Sequence, residues 1–327
     1  LLSKILCWLK FVKTQIINRK TITNTRIKLK NKIAISDEIE YNSNTNMIKN
    51  ENDLKFLIKR KPDLVFSGIK YFNFGNEEIW LSDYLEKYKI DYITSNKEAL
   101  NNEYDKNNAK IIIKEANINT SNFFTTQPDE HQTESSLPVT FPLFLKPIIG
   151  GDSRGINAEA VVFDFKKYQA KVLDIYNNQK SRTLVENYLS GKEYSVSILE
   201  NKSKNILMIL PIEIIAVKNK NGHRILDYDA KQNDLEEVIA VSDKKIYKEL
   251  CNLAINSFRA LGGKTMGRID IKTSYKSSLN FIEANFMPGL GNGYFSRSFM
   301  LNENMDYEQM ILKIADAGMI LPEEVEI

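Results

Sequence analysis

The chain has 327 residues, with 45 basic and 42 acidic side chains and a formal charge of +3. Nine of the basic residues and no acidic one fall in residues 1–32, so the rest of the chain carries a net charge of −6. An apolar content of 43% excludes a wholly disordered chain, and two cysteines and two histidines exclude a disulfide scaffold and a histidine-rich metal centre. The length predicts two or three domains.

Apolar residues from Leu2 to Ile16 recur at helical spacing and predict a basic amphipathic helix. Three lysines interrupt this segment, so we expect no stable membrane insertion. The alternatives for it are packing on the first domain, contact with a membrane surface or a partner, and a disordered or artefactual start. The chain begins without Met, which leaves its true start open. No small-residue cleavage site follows, and we therefore expect a cytoplasmic protein.

Strands and helices are predicted to alternate along the next part of the chain. Residues 42–52 are polar and predict a loop, followed by a helix that ends at about Arg60. Residues 62–66 and 90–94 predict short strands, and residues 77–89 predict a helix between them. This alternation is typical of a small parallel α/β domain.

The remaining chain predicts further elements of both kinds around a polar surface loop at 125–138. The predicted helices lie at 105–117, 164–177, 243–261 and 306–317. The predicted strands lie at 141–147, 183–187, 193–200, 206–217, 267–273 and 279–285. The overall fold class is therefore mixed α/β, with α+β character in the second part.

A glycine-rich turn, residues 150–155, follows the strand that contains Lys146. Consecutive glycines let backbone N–H groups converge on an anion, with the lysine as a counter-charge. The turn lacks the P-loop pattern and the GxGxxG pattern, so a glycine hairpin without a ligand is the simpler interpretation of this turn taken alone.

Two predicted strands near the carboxyl end carry the strongest chemical signal. Alternate residues share a face of a strand, so Arg268 projects with Asp270, and Glu283 projects with Asn285. By the same pattern Ile269, Ile271 and Ile282 turn away. Two carboxylates and an amide oxygen on one face suit Mg²⁺ that holds nucleotide phosphates. The alternative is a set of cross-strand salt bridges that involve Arg268.

Two further loops complete this pattern. Residues 288–293 include three glycines whose N–H groups are free to bind an anion next to the predicted metal site. Residues 218–236 form a polar stretch that contains Lys231, and a solvated loop is the simplest interpretation of it taken alone. Together the lysines, the glycine turn and the acidic strands predict a nucleotide-phosphate site without a P-loop.

These motifs resemble the ATP-grasp superfamily and, within it, the D-alanine–D-alanine ligase branch. The resemblance runs in order from about Lys61 to Ala317. The motifs that carry it are Lys61 to Phe66, Asp105-Lys106 with Lys110, Phe141 to Pro147 with Gly150 to Gly155, Leu184 to Glu193, Tyr228 to Lys231, Gly267 to Asp270, and Phe281 to Asn285 with Pro288-Gly289. The resemblance implies an ATP-grasp fold with a first domain at 1–104. It also implies subdomains at 105–186 and 187–327 that clamp ATP between them.

The resemblance also implies the site residues and their roles. Lys106, Lys146, Ser153 and Lys231 would contact the ATP phosphates, and Lys231 would also take part in catalysis. Glu186, Asn187 and Leu189 would border adenine, and Glu193 would hold the ribose. Asp270, Glu283 and Asn285 would bind two Mg²⁺ ions, or Mn²⁺ in their place. Arg268 and the Gly289 N–H would stabilise a tetrahedral intermediate formed when an amine attacks an acyl phosphate.

The chain departs from this family where the first substrate would bind. The family's His-Ser-x-Glu motif has no counterpart in residues 1–60. Asp152 replaces a serine of the lid, and Gln232 replaces a tyrosine after the loop lysine. The residues after Gly289 also differ from the family's small, serine-rich run, although Ser296 or Ser298 could still bind a carboxylate.

The sequence thus predicts an ATP-dependent carboxylate–amine ligase for amino-acid-like substrates other than two D-alanines. A D-alanine–D-alanine ligase with an atypical amino end is the alternative, and a nucleotide-binding protein without ligase activity is a third. Nucleic-acid binding is disfavoured, because the body is acidic and the basic segment has few interleaved aromatics. We expect small amino acids or carboxylates as partners, and the family resemblance allows a homodimer.

Overall fold

The computed structural model describes residues 14–21, 39–46, 48–150, 156–157, 159–201, 206–217, 235–275 and 277–318. The described helices are Glu51–Lys59 (α1), Leu81–Lys87 (α2), Lys97–Tyr104 (α3), Lys106–Glu115 (α4), Phe165–Gln179 (α5), Lys244–Ala260 (α6), Tyr294–Glu303 (α7) and Tyr307–Gly318 (α8), with a 3₁₀ turn at Glu134–Ser136. Among the described residues, no helix combines the length and the apolarity that crossing a bilayer requires.

The described strands form four sheets. In chain order they are Thr14–Thr21 (β1), Ile39–Asn46 (β2), Leu64–Ser67 (β3), Tyr71–Phe74 (β4), Glu77–Trp80 (β5), Asp91–Ile93 (β6), Phe123–Thr126 (β7), Leu143–Pro147 (β8), Val161–Val162 (β9), Thr183–Asn187 (β10), Glu193–Asn201 (β11), Ile206–Ile215 (β12), Glu237–Ala240 (β13), Met266–Thr273 (β14) and Leu279–Asn285 (β15). The strand orders are β2-β1-β3-β6, β4-β5, β7-β10-β8-β9 and β13-β12-β11-β14-β15.

The first sheet corrects three predictions for the amino-terminal region. It is mixed, because β1 pairs antiparallel with both β2 and β3, and only β3 and β6 run parallel among its described strands. The predicted helix from Leu2 to Ile16 is wrong where the structure describes it, since β1 is rich in β-branched Thr and Ile. The predicted loop at 42–52 is also wrong up to Asn46, which ends β2.

The predicted helix at 77–89 is correct only in its second half. Strands β4 and β5 form a hairpin that pairs Phe74 with Glu77, which leaves a two-residue turn. Gly75 in this turn has φ of +65°, a left-handed conformation that favours glycine. Ile79 and Trp80 therefore belong to strand β5, and helix α2 begins only at Leu81.

The β7-β10-β8-β9 sheet and the five-stranded sheet contain all six strands that were predicted for the later chain. Strand β10 lies between β7 and β8, and the helix α5 packs on this sheet through Tyr168, Val172 and Ile175. In the five-stranded sheet, β11 and β14 are central and antiparallel. The helices α3 and α7 and the short strands β4, β5, β7, β9 and β13 have no counterpart among the predictions, because each is too short or too polar for a periodic signal.

The largest hydrophobic core lies under the five-stranded sheet. Val196, Ile269 and Phe281 from three of its strands are fully buried there. Helix α6 contributes Phe258, and helix α4 contributes Ile113. Because α4 is held by this core, the lysines at its beginning have fixed positions relative to the sheet.

Candidate active site

One face of the five-stranded sheet carries a row of polar side chains. The strand register pairs Ser195 with Asp270 on one side and Asp270 with Glu283 on the other. It also pairs Arg268 with Asn285. Because side chains alternate along a strand, the apolar neighbours Ile269 and Ile271 point to the opposite face and are completely buried in the core. The predicted common face of Arg268, Asp270, Glu283 and Asn285 is therefore confirmed.

The prediction that Ile282 turns away from this face is wrong. A register shift between Asp270 and Ile271 places Phe281 opposite Ile271, so Phe281 enters the core instead. Ile282 is left at the irregularity and lines a cavity beside Leu189 and Glu283. A bulge of this kind re-aims a side chain next to a functional site, and here it adds an apolar wall.

Arg268 and Asp270 form a rigid pair on this face. The Arg268 Nε and Nη2 atoms donate to the two Asp270 oxygens at 2.9 and 2.8 Å, and the Ser195 hydroxyl donates to Asp270 Oδ1 at 2.7 Å. The guanidinium also lies 5.6 Å from the centre of the Tyr294 ring. Burial opposes the charge of Arg268, but the Asp270 carboxylate outweighs it and raises the pKa of the guanidinium. The group stays cationic and oriented.

A second cluster joins helix α4 to the sheet that contains β8 and β10. Glu186 accepts from the Lys110 ammonium at 2.5 Å and from the Lys146 ammonium at 2.9 Å through its two different oxygens. The Ser121 hydroxyl donates to the same carboxylate at 3.0 Å. Lys110 also donates to Thr120 Oγ1 at 2.5 Å. All three charged side chains are at most 4% exposed, so the cluster is one buried ionic unit.

The free energy of unfolding is expected to depend on Glu186 at acid pH. Burial tends to raise the pKa of this carboxyl, but the two lysines outweigh burial and lower it from 4.5 to about 2. A lowered pKa means that Glu186 stabilises the fold above about pH 4.5 and loses this contribution as the pH falls towards 2. Urea unfolding of the wild type and of Glu186→Gln should therefore give a difference that shrinks between pH 5 and pH 2.5. A difference that grew over this interval would contradict the assignment.

Lys106 lies at the beginning of α4, where two backbone segments meet. Its ammonium donates to the Gly150 carbonyl, and its backbone N–H donates to the Ile148 carbonyl at 2.9 Å. Asp105 caps the helix by accepting from the Asn107 and Asn108 N–H groups. Burial lowers the pKa of Lys106, and the charge of Glu283 partly opposes this effect. The lysine is thus directed from α4 towards both the glycine turn and the acidic strand.

Two cavities meet at Glu283. The larger has a volume of about 440 Å³ and is lined by Lys106, Arg268, Asn285 and Gly289, among others. The smaller has a volume of about 80 Å³ and combines apolar and charged walls. The residues that line the smaller cavity are Ser121, Phe144, Lys146, Ile156, Glu186, Asn187, Tyr188, Leu189, Glu193, Asp270, Lys272, Ile282 and Glu283. Glu283 belongs to both linings, so a ligand that fills both would pass this carboxylate.

The larger cavity is closed on one side by residues from the amino-terminal half. Glu103 at the end of α3 accepts from the Phe286 N–H, directly after the metal-ligand candidate Asn285. The Lys70 ammonium donates to the other Glu103 oxygen at 2.6 Å. Burial raises the pKa of the Glu103 carboxyl, and the charge of Lys70 opposes this rise. Glu103 therefore fixes the end of β15 against α3.

The structure brings most predicted site residues to these two cavities. Those at the larger cavity are Lys106, Arg268, Glu283, Asn285 and Gly289, and those at the smaller are Lys146, Glu186, Asn187, Leu189, Glu193, Asp270 and Glu283. Ser153 and Lys231, with the altered positions Asp152 and Gln232, lie outside the described residues.

Sequence reasoning missed several residues that support the site. Lys272 donates to Glu193 Oε2 at 2.8 Å and shares its cavity, and Ser195 orients Asp270. Strand alternation predicts both positions, because Lys272 lies two residues after Asp270 and Ser195 lies two after Glu193. Lys110 lies four residues after Lys106, so helical spacing predicts that the two lysines share a face of α4. This is a weaker signal for the buried position of Lys110.

The donor set can be tested for its fit to a divalent cation. Among the described residues, no group of three or more His, Cys, Asp or Glu side chains is arranged to hold a metal. The predicted set has two carboxylates, Asp270 and Glu283, with the Asn285 amide oxygen on the same face. All three donors are oxygens, and Mg²⁺ takes few protein ligands when substrate phosphates supply the rest. The residues therefore fit Mg²⁺ bound together with a nucleotide.

Comparisons with known proteins give a consistent picture. A family model described as the D-ala D-ala ligase C-terminus matches residues 107–316. A D-alanine–D-alanine ligase of Aquifex aeolicus is 26% identical over 258 residues, which are 78% of this chain and 82% of that protein.

Two solved structures have a similar fold. One is a Bacillus anthracis D-alanine–D-alanine ligase complexed with ATP, which gives a TM-score of 0.61 at 20% identity and covers 82% of this chain and 84% of that one. The other is the VanG D-Ala:D-Ser ligase of Enterococcus faecalis, with a TM-score of 0.60 at 20% identity and coverage of 80% and 73%. At these identities the structural likeness concerns the fold.

Proposed function

The chain belongs to the D-alanine–D-alanine ligase family of ATP-grasp enzymes, and from this premise we propose that it joins a carboxylate to an amine on amino-acid-like substrates through an acyl phosphate. The observation that carries the proposal is the position of Glu283 at the junction of the two cavities. The smaller cavity offers Leu189 and Ile282 as apolar walls for a nucleotide base, and the larger cavity has room for the reacting groups.

In this proposal, ATP lies between the sheet of β8 and β10 and the five-stranded sheet, that is, between subdomains 105–186 and 187–327, after a first domain at 1–104. Adenine contacts Leu189, Ile282 and the edge of Asn187 in the smaller cavity. Glu193 holds the ribose hydroxyls beside Lys272. Lys146 and Lys106 lie on the path of the phosphates towards the larger cavity. Ser153 and Lys231 are assigned to the phosphates by the family resemblance.

The proposed reaction has two steps. A substrate carboxylate oxygen attacks the γ-phosphorus and ADP leaves, which gives an acyl phosphate. An amine then attacks the acyl carbon, and inorganic phosphate and a proton leave as the amide forms. Arg268, held by Asp270, and the Gly289 N–H at the cavity wall donate to the developing oxyanion. Positioning and charge neutralisation supply most of the rate acceleration, so no Ser-His-Asp arrangement is required.

Asp270, Glu283 and Asn285 would hold Mg²⁺ when the nucleotide is bound, two ions in the proposal, with Mn²⁺ as an alternative. Bound there, the cation would neutralise the phosphate charge that builds up during transfer. The partners in this proposal are small acids and amines in the cytoplasm, without nucleic acid.

A D-alanine–D-alanine ligase is the second candidate, because the Aquifex relative has that name. The preferred candidate is a different substrate pair, since Asp152 and Gln232 replace two residues of the family's first-substrate pocket and the His-Ser-x-Glu motif is lacking in residues 1–60. The VanG protein is named a D-Ala:D-Ser ligase, so this fold is not confined to ligases of two D-alanines.

We expect purified protein with ATP and Mg²⁺ to release phosphate only when a suitable acid and amine are both present. The measurement is a screen of D- and L-amino acids and dipeptides, with phosphate release followed and product mass determined. Full activity with D-alanine alone would favour the second candidate. ATP hydrolysis that no acid–amine pair stimulates would contradict a ligase.

A further inference from the structure

Glu236 lies at the wall of the larger cavity, one residue before strand β13. Its side chain is only 4% exposed. The Tyr294 hydroxyl donates to Glu236 Oε1 at 3.1 Å, and Arg297 Nη1 lies 3.8 Å from the same oxygen. Since the Tyr294 ring also faces the Arg268 guanidinium, Glu236 is separated from the reaction centre by a single side chain.

The second oxygen of this carboxylate, Oε2, has no hydrogen-bond partner among the described residues. Glu236 Oε2 is buried and accepts no hydrogen bond from any residue that the structure describes. Buried carboxylate oxygens are normally paired, because removing a charge from water without compensation is costly. The Oε2 atom itself is covered, but Glu236 belongs to the cavity lining, so a ligand that turns this side chain towards the cavity can supply the donor.

The cations that line the same cavity are engaged elsewhere. Lys70 pairs with Glu103, Lys106 donates to the Gly150 carbonyl, and Arg268 pairs with Asp270. The hydrogen-bond donor to Glu236 Oε2 should therefore come from the ligand. A positively charged donor is expected, because it forms the stronger hydrogen bond with a carboxylate.

We propose that Glu236 binds an ammonium group of the amino-acid substrate that does not itself react. The inference rests on the proposed function and narrows its substrate class to acids or amines that carry an additional cationic nitrogen. Two sources have this chemistry, namely the α-ammonium of the acid that is phosphorylated and a second ammonium on the attacking amine. Glu236 is a binding residue in either case, and the two sources are distinguished by experiment.

The test uses the full chain with ATP, Mg²⁺ and two matched substrate comparisons. In the first, hydroxylamine traps the acyl phosphate as a hydroxamate with release of phosphate, and the D- and L-alanine reactions are compared with that of propionate. In the second, D-lysine is compared with D-norleucine as the amine, with the best acid of the first comparison. The variants are Glu236→Gln, which keeps the shape and the acceptor for Tyr294, and Glu236→Asp, which keeps the charge. Glu237→Gln is the control, because Glu237 is the next residue in the chain and its side chain is exposed.

If the acid supplies the ammonium, Glu236→Gln should lower the ratio of kcat/KM for alanine to that for propionate by about 10-fold or more. If the amine supplies it, the lysine-to-norleucine ratio should fall instead. In both cases Glu237→Gln should keep the wild-type ratio. The ratio for Glu236→Asp should lie between the ratio for Glu236→Gln and that of the wild type. The KM for ATP should not change, which a purely structural role of Glu236 would not predict.

Two results would overturn the inference. If the wild type turns over and neither ratio changes in Glu236→Gln, Glu236 does not recognise a cationic nitrogen, while the proposed ligase function stands. If the wild type forms neither hydroxamate nor phosphate with any acid and amine, the proposed function fails and this inference fails with it.

Discussion

Replacing Glu283 with glutamine should lower the rate of phosphate release at least about 100-fold while the protein stays folded. The reason is that Glu283 lines both cavities and lies opposite Asp270, so in the proposed function it is the carboxylate that contacts the cation next to the phosphates. Changing a residue that only supports a metal ligand typically lowers metal affinity or activity about 10- to 100-fold. Loss of a ligand itself should therefore lower activity further. The measurement is steady-state phosphate release over a Mg²⁺ titration.

Glu237→Gln is a suitable control for this variant, because Glu237 is exposed on the same five-stranded sheet. It should keep the wild-type rate and the wild-type Mg²⁺ dependence. Asp270→Asn offers a second variant in case Glu283→Gln folds poorly, and it should raise the Mg²⁺ concentration that half-maximal activity requires. Wild-type turnover in Glu283→Gln would show that the metal assignment is wrong.

Replacing Glu186 with leucine should lower the free energy of unfolding by about 3–5 kcal/mol. The substitution leaves Lys110 and Lys146 buried next to each other without their shared counter-charge. Removal of the carboxylate from an exposed ion pair should have a much smaller effect. Glu130→Gln breaks the exposed pair with Arg182 and should cost about 1 kcal/mol or less. Urea unfolding at pH 7 measures both variants.

A triple substitution separates stability from function in this cluster. Lys110→Met, Lys146→Met and Glu186→Leu together replace the ionic unit by apolar side chains, which should recover much of the lost stability. ATP binding should not recover, because Lys146 and Glu186 line the nucleotide cavity in the proposed function. Equal unfolding free energies for Glu186→Leu and Glu130→Gln would contradict the buried cluster.

The sequence by itself determined which residues form the polar face of the five-stranded sheet. Alternation along β14 and β15 is a local property of the backbone, so Arg268, Asp270, Glu283 and Asn285 could be placed on one face without knowledge of the fold. The order of the motifs was enough to predict the family and the fold class. The mostly polar segments of β1 and β2 were misread, because strand pairing of β1 with β2 and with β3 defines them and not a local pattern of their own.

Only the tertiary structure decided how distant groups combine. The register shift at Asp270 and Ile271 moves Ile282 from the core to the smaller cavity, and no local pattern predicts such an irregularity. Lys110 and Glu186 are 76 positions apart in the chain and meet only because α4 and β10 are packed together. The two oxygens of Glu236 likewise differ only through contacts between elements, because Tyr294 and Arg297 of α7 approach Oε1, whereas Oε2 has no partner among the described residues. Burial and pairing arise from contacts between elements, and residue type and spacing alone do not encode them.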